Sequence, residues 1–226
     1  MLSLKHHFLF IHIPKTAGNS IQQVLDKYAD ENIVAVKPWQ DGVEDFEIVS
    51  KKYGTSKHST LREYRKILGK LDYKSLYKFT VVRNPWDRAI STYFYTKKYR
   101  QPQEDINRPN YSGEIKFSKE EFIEILDIVS PVTKWACTDN RVLKLLKPHH
   151  NRLVKTDIDF FIRYENLNDD FNQVCERIGI PFENPGIRNK IDREYYSDYY
   201  DAETRDMVSR KFRDEIDYFG YEFEER

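Results

Sequence analysis

Two short segments gather the residue types that hold phosphate-like anions. The first, His12-Ile13-Pro14-Lys15-Thr16-Ala17-Gly18-Asn19-Ser20, lies between an apolar run and a stretch of helical spacing. A helix start leaves backbone N–H groups without intrahelical partners and carries the positive end of the helix dipole, so an anion is favoured there. Lys15 adds a point charge, Thr16, Asn19 and Ser20 add short donors, and Gly18 allows the backbone to approach closely. An N-cap at Asn19 or Ser20 beside an exposed lysine explains the same residues equally well. Lys15 precedes Gly18, whereas GxxxxGK[ST] places its lysine after the second glycine, so hydrolysis of a nucleoside triphosphate is disfavoured.

The second segment, Val82-Arg83-Asn84-Pro85-Trp86-Asp87-Arg88-Ala89-Ile90-Ser91, puts Arg83 at the end of an apolar run and Ser91 one to two helical turns later. A guanidinium in that place can hold phosphate through two parallel charge-assisted bonds, each worth about 1.5–3 kcal/mol. Arg88 reads more simply as paired with a nearby acid.

The elements that must position these groups follow from periodicity. Phe8 to Ile13 and Phe79 to Val82 are short apolar runs ended by proline-containing turns, which suits buried strands. Helical spacing follows each, through Ile21, Val24, Leu25 and Tyr28, and through Trp86, Ala89, Ile90, Tyr93 and Phe94. Ser118 and Glu121 form a capping-box pattern ahead of Phe122, Ile125, Leu126 and Val129. A strand near Asp159 to Ile162 leads to a helix carrying Leu167, Phe171, Val174 and Ile178, stopped by Gly179 and Pro181. A last helix, capped by Asp201, carries Val208, Phe212, Ile216 and Phe219 and stops at Gly220. Strands alternating with amphipathic helices predict an α/β fold, with a mainly parallel central sheet flanked by helices. Ligands of open sheets of this kind bind at the carboxyl ends of the strands, where both segments fall. The polar stretch from Tyr99 to Ser118 reads as a long surface loop.

The 226 residues suit a single domain over residues 1–226, long enough to bury a core without metals or disulfides. Thirty-seven basic residues balance 37 acidic ones, so the electrostatic surplus needed to coat nucleic acid is missing. The apolar run near the start is too short for a membrane span or a signal sequence, so no integral membrane segment is expected and the mature protein is expected to begin at Met1. Cys137 and Cys175 lie in unrelated contexts, which suggests a reducing, cytoplasmic setting.

The segments Ile11 to Ser20 and Val82 to Tyr93 together resemble the phosphosulfate-binding motifs of carbohydrate-type sulfotransferases. The likeness extends to Arg163-Tyr164-Glu165-Asn166-Leu167 and to the closing pattern from Tyr199-Tyr200 through Asp217 to Phe223. It implies a fold similar to P-loop nucleotide kinases with a different loop. It also implies transfer of a sulfuryl group from 3′-phosphoadenosine-5′-phosphosulfate (PAPS) to a carbohydrate hydroxyl. By position, Lys15, Thr16, Ala17, Gly18, Asn19 and Ser20 would wrap the 5′-phosphosulfate, with Lys15 meeting charge on the leaving phosphate, and Arg83 and Ser91 would hold the 3′-phosphate. Lys190 and Arg193 lie in a basic loop where related enzymes close over the nucleotide; an ordinary solvated loop fits them equally.

An acceptor hydroxyl needs a base within hydrogen-bond reach. Of the six histidines, His58, in Ser56-Lys57-His58-Ser59-Thr60 ahead of a helical stretch with Leu61, Tyr64 and Leu68, matches the region where similar enzymes place one. Glu165 is the second choice. His12 reads as a packed residue donating to a neighbouring carbonyl, and His149 and His150 lack a carboxylate at ligand spacing, so no metal is expected. Tyr93 reads as core. The familiar relatives with an N-terminal Golgi anchor differ from this chain, which points to a bacterial protein. Two alternatives stay open: a nucleotide kinase-like phosphotransferase, and an inactive module that binds nucleotide or glycan.

Overall fold

The computed structural model describes residues 1–40, 43–50, 52–99, 115–137, 156–188 and 191–226. Most of the Tyr99 to Ser118 stretch, His149, His150 and Lys190 lie outside the described residues. In chain order the elements are β1 (Leu2–Ser3), β2 (Phe8–Ile11), α1 (Gly18–Leu25), β3 (Asn32–Gln40), β4 (Val43–Val49), α2 (Leu61–Ser75), β5 (Tyr77–Val82) and α3 (Pro85–Tyr99). They continue with α4 (Lys119–Ile128), α5 (Thr133–Ala136), β6 (Phe160–Arg163), α6 (Leu167–Ile178), α7 (Ala202–Lys211) and α8 (Arg213–Phe219). The chain divides into two compact units. The first comprises Met1–Val34, Phe46–Arg83 and Val132–Arg188, and the second Ala35–Asp45, Asn84–Pro131 and Asn189–Arg226.

The first unit is built on a four-stranded sheet in the order β1-β2-β5-β6. β5 runs parallel to both β2 and β6, and only the edge strand β1 is antiparallel, so the sheet is mainly parallel as its apolar runs predict. Alternate residues Phe8, Phe10, Phe79, Val81 and Ile162 form one face, which packs with Ile21, Val24 and Leu25 of α1 and Phe171, Val174 and Ile178 of α6. Tertiary burial of this kind holds α1, whose eight residues are too few to be helical alone. Helix α2 is started by a full capping box: the Thr60 hydroxyl accepts the Glu63 N–H at 3.2 Å, and the Glu63 carboxylate accepts the Thr60 N–H at 2.6 Å. Gly69, at φ +74°, interrupts it. β3 and β4, which the periodicity did not announce, pair as a separate two-stranded sheet.

The second unit holds α3, α4, α7 and α8. The Asn84 carboxamide oxygen accepts the Trp86 N–H at 3.1 Å and so starts α3. At α4 only half of the expected capping box forms. Ser118 Oγ accepts the Glu121 N–H at 3.3 Å, but the Glu121 carboxylate goes to Lys97 at 2.7 Å and to the Tyr93 hydroxyl at 3.2 Å. Tyr93 is fully buried, as its place on the apolar face predicts. The single closing helix expected from the period is two helices, because Phe212 leaves helical geometry at φ −109°, ψ 24°. Its carbonyl then accepts the Glu215 and Ile216 N–H groups at 2.9 and 3.0 Å and starts α8.

Candidate functional site

The loop between β2 and α1 is fixed by its own bonds. The buried Thr16 donates its hydroxyl to the Ile13 carbonyl at 2.8 Å. On either side of it, Lys15 and Ala17 lie in the left-handed region at φ +64° and +70°. Such a conformation costs a non-glycine residue about 1–2 kcal/mol, and it turns successive N–H groups toward one side as an anion-binding concavity. Ala17 is the N-cap of α1, and no side chain caps that helix among the described residues. The alternative of an Asn19 or Ser20 cap is therefore set aside. Ser20 is buried instead, and its Oγ accepts the Arg188 N–H at 3.1 Å.

The parallel register of β2 and β5, with Ile11 opposite Thr80, brings the end of each strand to the same edge of the sheet. There Arg83, which follows β5, donates from Nη1 to the Lys15 carbonyl at 3.2 Å. Its guanidinium lies 3.9 Å above the centre of the Tyr164 ring, a cation–π contact from the turn after β6. Tyr164 belongs to the Arg163-Tyr164-Glu165-Asn166-Leu167 motif, and its stacking on Arg83 comes from strand order, which is not local to the sequence.

His58 is exposed, and its Nδ1 lies 3.2 Å from the His12 carbonyl oxygen. His12 itself is buried, and its ring centre is 4.6 Å from that of His58. The expected donation from His12 to a carbonyl is not seen: its Nδ1 finds no partner among the described residues, and its own carbonyl is the acceptor. Burial, together with the neighbouring cationic positions His58 and Lys57, holds the His12 imidazole well below the usual histidine range, so it is neutral near pH 7. Below about pH 6.5 the unfolded chain protonates this histidine and the folded one does not, so stability falls by about 1.4 kcal/mol per pH unit as pH drops. Urea midpoints at pH 7 and 5 should show a shallower loss for His12→Leu than for the parent; equal slopes would assign the loss to other groups.

Gly18 has a structural reason beside the expected ligand approach. A Cβ built on it would lie 2.0 Å from His12 Cδ2 and 2.2 Å from Nε2, so the imidazole occupies the side-chain space. Gly18→Ala is therefore expected to destabilise the protein by about 1–3 kcal/mol through overpacking, read as a lower melting temperature. An unchanged melting temperature would mean that the His12 ring moves aside without penalty.

The remaining predicted residues belong to the second unit. Ser91 is half-buried on α3. Arg193 pairs with the Asp87 carboxylate and donates to the Glu194 carbonyl at 3.1 Å. Arg88 does meet an acid, though not a local one: Nη2 reaches both oxygens of Glu215, 127 residues away, at 3.0 and 3.2 Å. Glu165 is exposed on the 3-10 turn Tyr164–Asn166 of the first unit. Among the described residues no helix is long and apolar enough to cross a membrane.

The first-unit arrangement can seat an anion in a loop of oriented N–H groups, with an arginine fastened to that loop and a histidine beside it. An uncharacterized protein of Archaeoglobus fulgidus is 28% identical over 119 residues, covering 53% of this chain and 81% of that protein. No solved structure matches the chain. A model of the sulfotransferase family matches residues 1–222, and the chain accordingly belongs to the sulfotransferase family, whose members are enzymes that transfer a sulfuryl group.

Proposed function

We propose that this sulfotransferase takes its sulfuryl group from PAPS, passes it to a carbohydrate hydroxyl, and works as one domain over residues 1–226. The observation that carries the reading is the uncapped start of α1 behind a loop strained at Lys15 and Ala17 and tied to Arg83. That donor set suits a tetrahedral anion, and it has no element specific to a nucleoside triphosphate. Cys137 and Cys175 are both buried, which suits action in a reducing cytoplasm.

In this reading Lys15 to Ser20 hold the 5′-phosphosulfate, and the motif resemblance assigns the 3′-phosphate to Arg83 and Ser91. Lys190 and Arg193 belong to the segment that covers the nucleotide. The reaction is an in-line displacement, which by analogy with phosphoryl transfer rests on positioning and charge stabilisation. The acceptor oxygen forms a bond to sulfur as the bond from sulfur to the bridging phosphate oxygen breaks. Nε2 of His58 takes the hydroxyl proton, and Lys15 stabilises the charge left on the phosphate.

Calorimetric titration with adenosine 3′,5′-bisphosphate and with ADP, magnesium chelated, tests the donor pocket. Tight binding of the bisphosphate alone supports the proposal; equal or better binding of ADP would turn the reading toward a kinase. Transfer of label from ³⁵S-PAPS to a panel of neutral and anionic oligosaccharides then tests the acceptor class, and label on none of them would count against a carbohydrate.

Arg83→Ala is expected to weaken adenosine 3′,5′-bisphosphate by about 10–150-fold, the equivalent of one lost charge-assisted contact, while AMP changes by no more than about threefold. Equal losses for both ligands would show that Arg83 acts through its bond to the Lys15 carbonyl and does not read the 3′ group.

A further inference from the structure

His12 touches both the loop and the histidine beside it, yet the chemistry proposed above gives it no task. A carbonyl oxygen can only accept a hydrogen bond, so its 3.2 Å contact with the His12 carbonyl obliges His58 Nδ1 to carry the proton. In the neutral ring the basic lone pair then sits on Nε2. The His12 imidazole supports that arrangement from below, its ring centre 4.6 Å from that of His58 and its plane tilted by 49°. On another side the same imidazole fills the space above Gly18, the first residue of α1, where a Cβ would meet three ring atoms within 2.6 Å. On a third side it stacks with Phe10 of β2 at 6.2 Å and 21°.

As a core filler this is a poor choice of residue. His12 is 4% exposed, and its polar neighbour is the likewise buried Gln22 side chain, with His12 Nδ1 and both Gln22 amide atoms outside good hydrogen-bond geometry. An unsatisfied buried polar atom is normally destabilising, and native structures tolerate it mainly where function asks for it. A leucine would bury as much apolar surface without that penalty. What a leucine does not offer is a flat ring thin enough to lie between the bare Gly18 and the His58 ring.

We infer that His12 is a positioning residue, whose imidazole is a spacer that sets the distance of His58 from the phosphosulfate loop and keeps His58 in its Nδ1–H tautomer. The inference deepens the function proposed above and rests on His58 as the base in that reading. His12 meets neither donor nor acceptor; it acts through the two neighbours it separates.

The test is ¹⁵N NMR of the imidazole rings in the full chain, comparing the parent with His12→Leu and His12→Asn. An unrestrained imidazole in water favours the Nε2–H form. The parent is expected to show His58 almost wholly as Nδ1–H, and both variants to lose that signature in favour of Nε2–H. Adenosine 3′,5′-bisphosphate, titrated in parallel, should bind each variant within about threefold of the parent, which shows that the loop is still formed. Two variants are used because one of them can fail to fold, and either folded variant is read in the same way. His58 remaining Nδ1–H in a folded variant overturns the inference. A separate His58→Ala protein that transfers label normally would remove the base reading, whereas the tautomer shift would still stand as a fact about the two rings.

Discussion

Alanine in place of His58 is expected to slow sulfuryl transfer by about 10²–10⁴-fold, the range typical of a lost general base. Adenosine 3′,5′-bisphosphate should bind the variant almost as it binds the parent, because the loop bonds from Thr16 to Ile13 and from Arg83 to Lys15 do not involve His58. The effect therefore belongs in kcat, with little change in donor KM, and rapid-quench transfer from ³⁵S-PAPS separates the two. The expectation follows from accessibility as well as geometry. His58 is exposed where His12 is buried, and with Nδ1 donating to the His12 carbonyl the basic nitrogen is Nε2. Near-normal turnover in His58→Ala would dismiss it as the base, and a large loss in a parallel Glu165→Gln protein would transfer the role to that exposed carboxylate.

The second large effect is on stability. Glu215→Ala is expected to lower the unfolding free energy by about 3–5 kcal/mol, because it leaves the Arg88 guanidinium buried with no counter-charge. Both partners are 1% exposed, and the pair is made by Nη2 with both carboxylate oxygens. The guanidinium also faces the Phe212 ring, with 5.0 Å to the ring centre, so little water can replace the lost oxygens. Arg88→Met combined with Glu215→Leu should recover most of the loss, since replacing a buried ion pair by apolar groups of similar volume is often neutral. Urea denaturation of the three proteins checks this. A single variant within about 1 kcal/mol of the parent would mean that the pair is solvated in solution.

How much of this was legible from the residues depends on how local the information is. The runs Phe8 to Ile11 and Phe79 to Val82 announce parallel strands because both faces of such strands are buried, and the following helices announce themselves by spacing. The caps at Asp201 and Gly220 are equally local. β3 and β4 are not announced by the residues, because Pro38 interrupts the first and Glu44, Asp45 and Glu47 break the apolar pattern of the second. The break at Phe212 has no glycine or proline to mark it. In the site, Lys15 to Ser20 and Arg83 stood out by residue type. The reason for Gly18 did not, since it depends on a ring six residues earlier in a fold still to be formed. Arg88 gave the same difficulty on a larger scale: an acid was expected, but nothing local distinguishes Glu215 among the 37 acidic residues.

The sheet order also has a consequence for how the protein is made. Thr80 of β5 bonds to Ile11 across 69 residues of chain, and Lys78 bonds to Asp159 across 81. At about 5–20 residues per second, a ribosome needs roughly 3–14 s to deliver β5 to β2 and a similar interval again to deliver β6. During the first interval the apolar segment Phe8-Leu9-Phe10-Ile11 has only the two-residue β1 to pair with. Long-range parallel pairing of this kind closes slowly and leaves strand edges open to other chains. Nascent chains halted between β4 and β5 should therefore be the form most dependent on chaperones, and the anion-binding loop, which joins β2 to α1 and is tied to Arg83 after β5, should become ordered only after that stage has passed.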